Sequence, residues 1–247
     1  MYYEISSHGV VLQRRTVGEA DRLVVLFTRD EGKLLVRARG AARGKSKLGP
    51  LLEPLCELDV RLVRRRTGQE TLTLTGASLL HDHSRLKANL PRTAFAMLLV
   101  ETVEACYPPQ APHPEVYDLI KEALLRLERT RNLWGWALAC QLRMLAAVGL
   151  FPRLSACTLC ETTLLPDPVV LSAEHGGLIC EQCGRGQTFE VALPQRILKI
   201  LAETSEEDEL DLTPEEGRTV ETFLRHYLEY HLDWNFKSLD FIASLRR

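Results

Sequence analysis

Cys157-Thr158-Leu159-Cys160 and Cys180-Glu181-Gln182-Cys183 set two pairs of thiols on either side of a nineteen-residue segment. Two C-x2-C pairs at this separation read as a four-thiolate zinc site. Each pair forms a tight turn that aims two sulfurs at one point, and a tetrahedral ion joins the turns. Four thiolates leave no open coordination position, so the expected cofactor is one structural Zn2+ per chain, held by Cys157, Cys160, Cys180 and Cys183. Gly184 follows the second pair, where a free backbone helps amides face the sulfur; Glu161 follows the first and makes a less favourable knuckle. Pro166, Pro168 and Gly176-Gly177 suit a small looped ribbon, and His175 is surplus to four sulfurs. Cys56, Cys106 and Cys140 stand singly beside apolar neighbours and read as buried thiols. The odd total of seven cysteines argues against a disulfide framework.

A second chemistry lies in the basic residues. Arg37, Arg39, Arg43, Lys45 and Lys47 put five cations into eleven residues without an acid. Period two sets Lys33, Arg37 and Arg39 on one face of a strand. Gly40 and Gly44 let the following backbone approach a ligand closely. Arg14-Arg15 and Arg64-Arg65-Arg66 close two other strands. Such clusters neutralise phosphates along a nucleic acid. Gly44-Lys45-Ser46 is not a P-loop: the glycine needed at position 39 is Arg39, and Gly49-Pro50 forbids the helix that should follow. No G-x-S-x-G, H-E-x-x-H or G-x-G-x-x-G occurs. His81-Asp82-His83 reads as a polar turn after a strand rather than a metal site. His226 and His231 are five apart, which is wrong for one helical face.

The elements that must carry these residues are of two kinds. Residues 10–12, 23–27, 33–37, 58–63 and 72–75 read as strands, several with alternating apolar and polar positions. Asp30-Glu31-Gly32 and Thr67-Gly68-Gln69 supply turns at hairpin spacing. Five short strands in about 80 residues, with a long connection after the third, predict a small OB-type barrel, with an SH3-like barrel as the alternative. Beyond Pro91 the period becomes helical over 94–107, 115–129, 132–148, 194–201 and 214–232. Residues 152–189 read as neither helix nor strand, and the acidic run Ser205 to Glu209 reads as a solvated loop. The predicted organisation is an OB-fold DNA-binding domain over 1–80, an α-helical domain over 81–152 and 190–247, and an inserted zinc module over 153–189: a multidomain α+β protein.

A chain of 247 residues, 45% apolar and 26% charged, can bury a core without disulfide staples. It carries no apolar run long enough to span a bilayer and no basic, apolar start, which predicts a cytoplasmic protein with no membrane partner. Charge is uneven: residues 1–86 hold 15 cations and 10 anions, residues 187–247 hold 7 and 13. A basic front and an acidic back suggest different partners for the two ends.

Gly18-Glu19-Ala20-Asp21-Arg22-Leu23-Val24, Thr28 to Lys33, Arg37-Ala38-Arg39-Gly40-Ala41, Lys45 to Leu48 and Leu51-Leu52-Glu53-Pro54 together resemble the start of the bacterial recombination mediator family RecO. Gly149-Leu150, Cys157-x2-Cys160 and Gly176-Gly177-Leu178-Ile179-Cys180 resemble that family's zinc segment, where many members lack some of the cysteines. The likeness runs in order along the whole chain. It implies an N-terminal OB-fold, a helical domain and a zinc module, without enzymatic activity. It implies binding of single- and double-stranded DNA, annealing of complementary strands, and a nucleoid-associated role in the RecF pathway of DNA repair. RecR, the single-stranded-DNA-binding protein SSB and, indirectly, RecA are the implied partners. Residues 1–80 hold only Tyr2, Tyr3 and Phe27 as aromatics, so charge should outweigh base stacking in the barrel. The apolar faces of the helical region, Ala94 to Val148 and Pro194 to Leu232, edged by Arg126, Arg129 or Arg131, are either the place for an acidic SSB tail or simply core. The competing readings are a zinc-ribbon adaptor that binds only proteins and a metal-dependent nuclease.

Overall fold

The computed structural model describes residues 2–65, 71–164, 167–185, 190–203 and 209–245. The chain forms two compact units, Met1–Arg129 and Thr130–Arg247.

The first unit starts with five strands: β1 (Tyr2–Val17), β2 (Asp21–Thr28), β3 (Gly32–Ala38), β4 (Glu57–Arg65) and β5 (Leu72–His81). They close into a barrel in the order β1-β2-β3-β5-β4, the OB arrangement expected. Alternation decides the inside: Leu34, Val36 and Ala38 of β3 and Leu58, Val60 and Leu62 of β4 are buried, while Leu35, Arg37, Asp59 and Arg61 face out. Val11, Val24, Leu26 and Leu72 complete the interior. Each buried aliphatic side chain contributes about 1.5–3 kcal/mol before ordering costs are counted. The long connection after β3 contains one 3-10 turn, Gly49–Leu52, whose Leu52 is buried with that core.

Three helices follow in the same unit: α1 (Ser84–Lys87), α2 (Leu90–Cys106) and α3 (Pro114–Leu127). The Asn89 side chain caps α2 by accepting the Arg92 N–H at 3.1 Å, which starts that helix four residues before the expected Ala94. Val116, Ile120, Ala123, Leu124 and Leu127 form the buried face of α3, as their spacing predicts.

The second unit opens with α4 (Leu133–Ala147), capped by Asn132 and buried on nearly every side around Trp136. Then come β6 (Val169–Ser172), β7 (Gly177–Ile179), α5 (Glu181–Gly184), β8 (Glu190–Leu193), α6 (Gln195–Glu203), α7 (Pro214–Leu232) and α8 (Lys237–Ser244). A capping box of Thr213 and Glu216 starts α7, and Glu216 also accepts from Arg196 Nε at 2.8 Å. The three short strands form an antiparallel sheet, β7-β6-β8. That sheet corrects the reading of 152–189 as irregular. Strands of three or four residues are too short to display a period of two. The helices expected to form one domain are shared between the units, α1–α3 in the first and α4 and α6–α8 in the second. Among the described residues no helix is long and apolar enough to cross a membrane.

Candidate nucleic-acid interface and metal centre

The basic segment leaves β3 through a turn at Gly40, whose φ of +68° favours glycine. Three bonds fasten the loop to the end of the β1–β2 turn and the first two residues of β2. The Gly40 N–H donates to Asp21 Oδ1 at 2.9 Å, the Ala42 N–H to the Ala20 carbonyl at 2.8 Å, and Arg22 Nη1 to the Gly49 carbonyl at 2.6 Å. A Cβ on Gly49 would lie 2.6 Å from the Ala41 carbonyl oxygen, so only glycine lets the loop close on itself. The Gly40 N–H, then the Arg37 side chain, hold the Asp21 carboxyl below its ordinary value.

Arg37, Arg39, Arg43, Lys45 and Lys47 are all exposed on this strand end and loop. Arg37 is anchored through Nε on Asp21 at 2.8 Å. Among the described residues, no ion pair ties down Arg39, Arg43, Lys45 or Lys47. Arg15 extends the row: it stands opposite Leu23 on β2, and Leu23 stands opposite Arg37 on β3. Cross-strand partners share a face, so Arg15 and Arg37 flank Leu23 on the outside of the barrel.

The other expected cations are placed differently. Lys33 lies on the outer face of β3, but that end of the face is covered. Its ammonium donates to the Glu104 carbonyl at the end of α2, its own carbonyl accepts the Gln110 N–H at 2.9 Å, and burial lowers its pKa. Arg14, one residue from Arg15, faces the other way and pairs with Glu53 at 2.6 Å. Arg64 is half-buried, with Nη2 fully enclosed. Arg65 ends β4, and Arg66 lies outside the described residues, as does the turn at Thr67-Gly68-Gln69.

The second site joins the turn that holds Cys157 and Cys160, ahead of β6, to Cys180 and Cys183 at the start of α5. The ligand atoms of Cys157, Cys160, Cys180 and Cys183 all lie within 4.8 Å of one another, with Cys160 Sγ and Cys180 Sγ 3.6 Å apart. Sulfurs on a tetrahedral ion with bonds of about 2.3 Å stand about 3.8 Å apart, so the four thiols fit a metal ion. The N–H of Cys180 donates to Cys157 Sγ at 3.3 Å. Burial opposes ionisation of Cys157, but the backbone N–H groups of Cys160, Cys180 and Leu159 outweigh it and bring that thiol down to about 6. Cys183, crowded by Cys180 and Cys160, is pushed up to about 12. The sulfurs are also the local core: Cys157 and Cys180 pack with Ile179, Val170 and Cys183.

One detail of the knuckles agrees with expectation and one differs. Glu161 takes the left-handed conformation, φ +62°, that a glycine would take more easily. Gly184 has no positive φ; its N–H donates to the Cys180 carbonyl at 2.9 Å and ends the short α5. The first pair closes with a left-handed glutamate and the second with a helical turn that does not need the positive φ glycine allows. His175 bonds Ser172 Oγ at 3.0 Å.

Comparison with known proteins matches the profile "Recombination protein O N terminal" to residues 1–82 and "Recombination protein O C terminal" to residues 87–240. The chain belongs to the RecO family. Curated proteins called DNA repair protein RecO are similar over nearly their whole length. That of Myxococcus xanthus is 33% identical over 96% of both chains, and that of Anaeromyxobacter sp. strain K is 32% identical over 96% of this chain and 95% of its own. That of Exiguobacterium sibiricum is 27% identical over 94% and 93%. The RecO N-terminal match ends one residue past β5, so it coincides with the barrel. The Gly18 to Arg22 stretch that carries the resemblance to RecO is the one that fastens the basic loop. Sequence reasoning missed that role because Ala20, Asp21 and Arg22 act on the backbone of residues 40–49.

Proposed function

We propose that this chain is a non-enzymatic recombination mediator that binds single- and double-stranded DNA on the outer face of its barrel and anneals complementary strands. The observation that carries this reading is the row of exposed cations Arg15, Arg37, Arg39, Arg43, Lys45 and Lys47, four of them on one fastened loop. Contacts from such a row go to phosphates, which carry no base information and leave base edges free to pair. Phe27 is fully buried and withdrawn from base stacking, while Tyr3 is exposed at the start of β1; a single exposed ring among the described residues, against a row of cations, leaves charge as the main source of affinity in this reading. The four cysteines hold a structural Zn2+ in this reading. RecR and the SSB tail act as partners in loading RecA on SSB-coated DNA, in the cytoplasm at the nucleoid.

The test is a salt titration with a mixed-sequence single-stranded oligonucleotide, alongside an annealing assay without nucleotide or divalent metal. Four to five neutralised phosphates give a slope of log affinity against log salt of about −3 to −3.5. A slope near zero, or cleavage of the oligonucleotide on adding a divalent ion, overturns the reading.

A further inference from the structure

Three donors outside the cysteine cluster converge within the first unit. His81 ends β5, His83 precedes α1 and Glu128 follows α3. His83 Nδ1 lies 2.8 Å and His81 Nδ1 3.8 Å from Glu128 Oε1, and the three ligand atoms lie within 4.8 Å of one another. Ligands on a tetrahedral cation with bonds of about 2.1 Å stand about 3.4 Å apart, a value the two contacts bracket.

The polar groups around them are committed elsewhere. Asp82 accepts the Ser84 N–H at 3.0 Å. Glu57 accepts the Tyr117 hydroxyl at 3.1 Å and pairs with Lys121 at 3.1 Å. Lys87 donates to Cys56 Sγ at 3.0 Å. Two imidazoles are left facing one carboxylate. His83 is fully buried and turns its Nδ1 to Glu128, while its Nε2, the nitrogen that would carry the ring proton with a metal on Nδ1, meets no hydrogen-bond partner among the described residues. The His83 N–H covers His81 Nδ1 at 3.0 Å, a bond that a cation on that nitrogen would replace.

We propose that His81, His83 and Glu128 form a second metal site, separate from the four cysteines, for a borderline divalent cation such as Zn2+ or Co2+. Two imidazoles and one carboxylate suit such ions, whereas Mg2+ and Ca2+ require more oxygen ligands than this cluster offers. The His81 side chain is 37% exposed, which gives the ion a route in and leaves a fourth position to water. The bound ion would pin the end of β5 to the end of α3, bridging the 45 positions between His83 and Glu128.

The experiment loads the full-length chain with Co2+ and counts bound metal by elemental analysis and absorption. The wild type should take two ions: one with intense thiolate-to-cobalt charge transfer, one with d–d bands alone. His81→Ala, at the exposed ligand, and Glu128→Gln should each weaken the second site at least tenfold and leave the thiolate band unchanged. Circular dichroism identifies any variant that fails to fold, and the other then decides. A single ion in the wild type, a second ion that also shows thiolate charge transfer, or a second ion held equally well by both variants overturns the proposal.

Discussion

The Asp21 carboxylate accepts the Gly40 backbone N–H at 2.9 Å through Oδ1, while its Oδ2 accepts from Arg37 Nε at 2.8 Å. One acid therefore fixes both the start of the basic loop and the cation beside it. It is an acid placed within a basic surface, and its value lies in geometry rather than charge.

Asp21→Ala should weaken DNA binding several-fold even though it makes the face more positive. The loop it fastens would lose its start, and ordering the free loop on DNA costs conformational entropy. Fluorescence anisotropy on a labelled oligonucleotide checks this, and tighter binding would show that charge alone sets affinity. The folded pKa of Asp21 is depressed, so its contribution is present above the ordinary value near 3.8 and lost as the pH falls below it.

Arg39→Ala with Arg43→Ala should make the single-strand salt slope shallower by about 1.4, at roughly 0.7 per lost phosphate contact. Thermal stability should hold, because both side chains are exposed and neither is ion-paired among the described residues.

Lys33→Met should do the reverse. The salt slope should stay the same, since the ammonium is spent on the Glu104 carbonyl. Stability should fall by about 1 kcal/mol for the lost hydrogen bond, measured by urea denaturation.

Removing metal with a strong chelator should loosen β6, β7 and α5 and spare barrel strands β1 to β4. The sulfurs make up much of the module's core, whereas the barrel has its own aliphatic interior. Hydrogen exchange resolved by peptide reads the two regions separately; equal loss of protection in both would contradict the division into units.

Glu161→Gly should stabilise the metal-loaded protein by about 1 kcal/mol, because glycine adopts the φ of +62° without the strain of a Cβ. The exposed contact to Arg153 at 3.5 Å is too long and too wet to offset that gain. Thermal melts of both proteins with metal bound give the answer.

The barrel strands were legible because a closed barrel enforces alternation, as Leu34, Val36 and Ala38 against Leu35 and Arg37 display. The cysteine spacing was equally plain. The strands of the metal module were not, since β7 has three residues and begins with Gly177. Period two put Lys33 on the correct face, but what covers it comes from α2, some 70 residues away. The pairing of His83 with Glu128 left no local trace either, so His81-Asp82-His83 read as a turn. The structure instead buries His83 and runs β5 through His81.

The barrel closes through its shortest seam. β3 meets β5 in parallel at two positions, Val36 opposite Leu72 and Arg37 opposite Thr73, whereas β1 pairs with β4 from Tyr2 to Val10 and with β2 from Gly9 to Val17. The β2–β3 hairpin is local in sequence, but the β3–β5 seam must bring together segments 36 residues apart, at a higher loop-closure cost and for two paired positions. On this order of assembly the seam zips last in folding and parts first in thermal opening. Arg37 sits on it, so the earliest breathing of the barrel begins beside the basic loop.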